Sequence, residues 1–107
     1  MTDKNKSIFP LGKIKVTFFA GLALQRSGQQ SSEFLNLHRN KNWGEITAEE
    51  KQLNDQIVKS KNKTNKKILS AYVTSFNKII WIVTRFEENS IETTILLPRE
   101  FDYLFGR

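Results

Sequence analysis

Apolar and polar positions are most tightly ordered in the last third of the chain, between Ile68 and Phe101. Three short apolar runs, near residues 68–74, 79–86 and 91–97, are separated by Ser75-Phe-Asn-Lys78 and Glu87-Glu-Asn-Ser90. Runs of this length with turn-forming residues between them predict a three-stranded antiparallel meander. The middle run, Ile79-Ile-Trp-Ile-Val83, is apolar at both parities, which predicts a strand covered at least partly on both faces, with Trp81 in the core. Upstream, Lys13-Ile-Lys-Val-Thr-Phe-Phe19 alternates cleanly. It reads as a half-exposed strand at a sheet edge, where lysines discourage further pairing.

Helical spacing takes over between that strand and the meander. Leu22 to Ser27 predicts a short helix ended by Gly28. Ser31 or Ser32 is expected to cap a second helix, Glu33 to Arg39, carrying Phe34, Leu35 and His38 on one stripe. Thr47-Ala-Glu-Glu50 is a capping box, in which hydroxyl and carboxylate satisfy free backbone donors. The helix it starts is expected to reach about Val58, with Leu53 and Ile57 on its buried side. The fold class is therefore α+β: a three- to four-stranded antiparallel sheet packed with two or three short helices. Residues 1–8 read as a flexible tail and 9–105 as one domain with a basic loop at 59–67, a size that suits a single core for a chain of 107 residues.

Composition narrows the chemistry. There is no cysteine, which removes disulfides, thiolate nucleophiles and zinc knuckles. No continuous apolar stretch follows the charged start, and the longest strongly apolar run is far too short to span a bilayer, so a cytoplasmic protein without a membrane partner is expected. The net charge is +6, but Lys59, Lys61, Lys63, Lys66 and Lys67 sit in one segment without acids, and the rest of the chain nets only +1. A charge run of this kind is most simply a solvated loop. Its functional reading is a weak, phosphate-tracking site to which Lys13 and Lys15 would add.

Other candidates for chemistry are few. His38 is the only histidine; a general base would need an orienting acid, for which Glu33, Glu45 or Asp55 are available. The simpler reading packs His38 beside Phe34 and Leu35, hydrogen-bonded to the following turn. Glu45, Glu49, Glu50 and Asp55 lack the spacing of a calcium loop, and the scattered glycines form no phosphate loop, so neither metal nor cofactor is expected. Trp43 stands in a polar turn, Asn40-Lys-Asn-Trp-Gly44, and either anchors that turn or meets a partner. Polar groups around one aromatic anchor mark a candidate protein contact made of His38, Asn42, Trp43, Glu45, Asn54 and Asp55. Asn54 has a structural alternative, capping a neighbouring segment internally.

Six segments carry a family resemblance: Phe9-Pro-Leu-Gly12, Glu33-Phe-Leu35 with His38, Asn42-Trp-Gly-Glu45, Leu69-Ser-Ala-Tyr72, Ile80-Trp-Ile82 and Thr93-Thr-Ile-Leu-Leu-Pro98. In their order and spacing the chain resembles the small plasmid-related proteins of bacterial plasmids and other mobile elements, some of them labelled as restriction-system subunits. Two departures stand out. The family's acid before Trp-Gly is Asn42 here, and the acid after its Ile-Thr is Arg85. If either acid is catalytic in that family, this chain lacks it. The resemblance implies an accessory role on a mobile element. Together with the small size and the lack of a catalytic constellation, it leads to the expectation of a non-enzymatic protein-binding module, most directly one of counter-defence that binds a host restriction or CRISPR effector, as a monomer or a dimer. The alternative is a nucleic-acid-binding accessory that uses the lysine-rich segment, and an enzyme built on His38 ranks last.

Overall fold

The computed structural model describes residues 9–106; the expected tail at 1–8 lies outside the described residues. The chain runs β1 (Lys13–Val16), α1 (Phe18–Ser27), α2 (Ser31–Arg39), α3 (Ala48–Lys59), β2 (Lys66–Val73), β3 (Ile79–Phe86) and β4 (Ile91–Leu96), then a 3-10 turn (Pro98–Glu100) and α4 (Phe101–Phe105). It is an α+β fold in which one four-stranded sheet, in the order β1-β4-β3-β2, packs against helices. The meander β2-β3-β4 is antiparallel as expected.

The fourth strand departs from an antiparallel sheet. β1 lies parallel to β4, with Lys13 opposite Glu92 and Val16 opposite Ile95. A parallel neighbour needs a long return path, and three helices and two strands intervene between these partners. β1 is also shorter than its alternation suggested, because Thr17 stops it. The Thr17 hydroxyl accepts from the Ala20 amide at 3.1 Å and starts α1 four residues earlier than predicted. Gly21 therefore lies inside a helix. α2 begins at Ser31 behind Gln30, so neither serine acts as its side-chain cap. The capping box of Thr47 and Glu50 forms as the local sequence requires.

The sheet has two unlike faces. Ile68, Tyr72, Ile80, Ile82, Phe86 and Ile95 point to the helices and make the core with Phe9, Leu24, Phe34, Leu35, Trp43 and Ile57. The opposite face carries Leu69, Trp81, Val83 and Arg85, and its cover is the short α4: Phe101 meets the Trp81 ring edge-on at 5.6 Å, and the Arg85 guanidinium lies 4.9 Å from the Phe105 centroid. Trp81 is accordingly half-buried and outside the core expected for it. The strand assignment stands, since Trp81 pairs with Ala71 and Leu96. No helix among the described residues is long and apolar enough to cross a membrane.

Candidate functional site

His38 is fully buried on α2, its ring fenced by Phe9 at 5.4 Å and Trp43 at 5.7 Å. Its partners are on the sheet, not on the following turn: Nδ1 lies 2.6 Å from Ser70 Oγ and Nε2 lies 2.9 Å from Thr84 Oγ1. Thr84 Oγ1 is in turn 2.7 Å from Thr93 Oγ1, which donates to the Leu11 carbonyl at 2.7 Å. That last bond fixes the direction of every proton in the chain. Thr93 spends its one proton on Leu11, so Thr84 must donate to Thr93 and accept from Nε2–H. Nδ1 is then left to accept from Ser70.

The ring is neutral in this arrangement, and burial pushes its pKa down from 6.5 to about 3. Ser70 and His38 approach each other as a nucleophile and base would. Both are fully buried, however, and the contact joins α2 to β2 and β3.

The rest of the surface predicted to meet a partner splits in the same way. Trp43 is buried and donates from Nε1 to Asp55 Oδ1 at 3.0 Å, so it anchors its turn. Its carbonyl accepts from the Ala71 amide at 3.1 Å, and the Glu45 amide donates to the Ala71 carbonyl at 2.7 Å. Gly44, between them, has φ +77, and a Cβ there would stand 2.0 Å from the Ala71 carbonyl oxygen. Asn54 is buried too. Its side-chain amide donates to the Leu69 carbonyl at 2.7 Å and accepts from the Leu69 amide at 3.4 Å, as a neighbouring strand would.

Turn and asparagine together occupy the outer edge of β2, a row of backbone groups that would otherwise be open to pairing. This job explains why Leu53, predicted to be buried, is 56% exposed: α3 is rotated so that Asn54 faces the strand. Of the six residues proposed for partner contact, Asn42 and Glu45 are exposed and Asp55 is partly so. Arg85 pairs with Glu92 at 3.3 Å and Glu87 at 3.4 Å.

The basic segment is not one loop. Lys59 closes α3, Lys66 and Lys67 open β2, and Lys63 Nζ donates to the Ser60 carbonyl at 2.6 Å. Lys61 and Lys63 share a groove with Glu87 and Glu88, which offset their charge. On β1, Lys15 pairs with Glu92 at 3.3 Å, and Lys13 is exposed. No group of three or more potential metal-ligating side chains occurs among the described residues.

Two surfaces were not foreseen. Leu53 borders a shallow pocket of about 180 Å³ with Leu69, Val83 and Phe101, rimmed by Glu50 and Lys67. At the far end of the β2–β3 hairpin a second groove, of about 230 Å³, brings together Phe19, Arg26, Phe76, Lys78 and Arg99. A signal for the second existed in the sequence. Phe76 stands in a polar turn as Trp43 does, and such a ring must either anchor or remain open; at 68% exposure it is open. Compared with protein-family models, curated proteins and solved structures, the chain matches none. The function of these surfaces is therefore argued from their chemistry.

Proposed function

We propose that this chain is a non-enzymatic, protein-binding accessory factor of a bacterial mobile element that serves in counter-defence, occupying a surface of a host restriction or CRISPR effector in the cytoplasm. The observation that carries the reading is the exposed Leu53 beside the pocket of Leu69, Val83 and Phe101. An apolar centre with a rim carrying both charge signs, Glu50 and Lys67, is the composition of a protein contact. Packing gives Leu53 no reason to be apolar. The exposed Val73 and Ile79 extend the same apolar character along the outer side of the sheet. The mobile-element setting comes from the resemblance in the six segments quoted above.

Plasmid establishment in cells carrying a restriction or CRISPR system tests the proposal. Expression of the parent chain should raise the yield of transformants, and Leu53→Glu should abolish the gain while melting as the parent does. Full protection by a folded Leu53→Glu variant would remove this surface from the account, and absence of protection by the parent against every such system would remove counter-defence.

A further inference from the structure

We propose that the groove between α1, the β2–β3 turn and the segment following β4 binds single-stranded nucleic acid, with a base on the ring of Phe76 and phosphates on Arg26, Lys78 and Arg99. The inference stands apart from the protein-partner reading, since it uses none of the residues around Leu53.

Sequence spacing builds the walls. Phe19, Ala23 and Arg26 fall on one face of α1 and form one side, with Phe76 and Lys78 opposite and Leu97 and Arg99 completing the lining. The turn bearing Phe76 is held in place. The Ser75 amide donates to Gln29 Oε1 at 2.9 Å, and the Ser75 hydroxyl donates to the Ser27 carbonyl at 3.0 Å. Thr74 Oγ1 accepts from the amides of Phe76 at 3.3 Å and Lys78 at 3.2 Å, while Asn77 takes the left-handed conformation at φ 63. These bonds fix the backbone under a ring that is left mostly in water. A stacking platform needs this arrangement, because ordering the turn then costs nothing on binding.

Charge points the same way. Three cations line the groove and no carboxylate does. Glu100, one residue beyond Arg99, is committed elsewhere: its Oε1 accepts from the Thr17 hydroxyl at 2.9 Å and the Leu97 amide at 2.8 Å. The Arg99 guanidinium lies 5.2 Å from the Phe19 centroid, a cation layered on an aromatic face. A nucleotide presents a flat π-face and a phosphate in one unit, which matches ring and cation in one groove. An acidic peptide matches the charge but gives the open ring no counterpart. The lysine-rich segment is the poorer candidate: Lys61 and Lys63 share their groove with Glu87 and Glu88, and the ring beside Lys67, Phe101, is already packed against Trp81.

Fluorescence anisotropy of the full chain with a short labelled oligothymidylate and its oligouridylate counterpart tests the proposal. Saturable binding is expected. Phe76→Ala should weaken it about tenfold, with Phe76→Trp restoring it. The Arg26→Ser, Lys78→Ser, Arg99→Ser triple variant should lower the slope of log affinity against log salt by about two. Both effects should persist when the five lysines of residues 59–67 are serine. Melting temperatures near the parent's are expected, because Phe76 lies outside the core. Three results would overturn the proposal: no saturable binding by the parent, groove variants that bind as the parent does, or displacement by polyglutamate as readily as by unlabelled oligonucleotide.

Discussion

The buried chain from Ser70 through His38, Thr84 and Thr93 to Leu11 makes stability depend on pH in a specific way. In the unfolded chain His38 titrates at 6.5, while in the folded protein burial holds it at about 3. Between those values the unfolded state binds the extra proton, so stability falls as pH is lowered through 6.5 and continues to fall toward 3. Above 6.5 the ring is neutral in both states and contributes no dependence. Each pH unit in the window is worth about 1.4 kcal/mol, so a shift from pH 7 to pH 5 should cost about 2 kcal/mol. For a domain with a total stability of about 5–15 kcal/mol the loss is large.

Urea unfolding followed by tryptophan fluorescence measures the loss directly, since Trp43 lies against the ring. His38→Gln should lower stability at pH 7: its carboxamide can accept from Ser70 and donate to Thr84, but it brings a second N–H into a buried site where the hydrogen-bond chain offers that proton no acceptor. It should also abolish most of the change between pH 7 and pH 5, His38 being the chain's single histidine. Equal stability of the parent at the two pH values, or the same loss in His38→Gln, would refute the proton assignment.

Three further outcomes follow from packing. Trp81→Ala should cost about 2–3 kcal/mol, less than the roughly 3–5 of a fully buried tryptophan, because one side of the ring is covered only by α4; a loss of about 4 kcal/mol or more would contradict that partial cover. Asn54→Leu should cost about 1–3 kcal/mol by leaving both backbone groups of Leu69 without their partner, and hydrogen exchange at the Leu69 amide should rise; unchanged exchange would remove the edge-covering role. Gly44→Ala should destabilise by more than about 3 kcal/mol, since the new Cβ must displace the Ala71 carbonyl in a backbone conformation alanine disfavours; a melting temperature within experimental error of the parent's would contradict it.

Local interactions made much of this fold readable. The meander and the capping box of α3 depend on neighbours within a few residues, and a continuous apolar run between two polar turns locates β3 at Ile79–Phe86. Where the outcome depended on distant residues, local pattern misled. Leu53 and Asn54 exchange places because α3 must serve the edge of β2, a demand invisible within the helix. Phe18 continues the strand alternation of Ile14 and Val16, yet Thr17 can cap a helix at that point, and it does. His38 was legible as a packed histidine, but its partners Ser70 and Thr84 lie 32 and 46 residues away. The open ring of Phe76 left a trace in its polar turn, but the groove around it did not, because the walls come from α1, the β2–β3 turn and the segment after β4, which only the complete fold brings together.

The central claim is that the chain acts by occupying a surface and not by turning over a substrate, and the stoichiometry of inhibition tests it most directly. A purified restriction or CRISPR effector that the chain blocks in cells would be titrated with the full chain, and DNA cleavage followed with time at each ratio. Binding predicts inhibition that saturates at a fixed molar ratio, does not deepen with longer preincubation, and is reversed when the chain is removed. Inactivation of many effector molecules by one chain, progressing with time and persisting after its removal, would contradict the account and establish an enzyme.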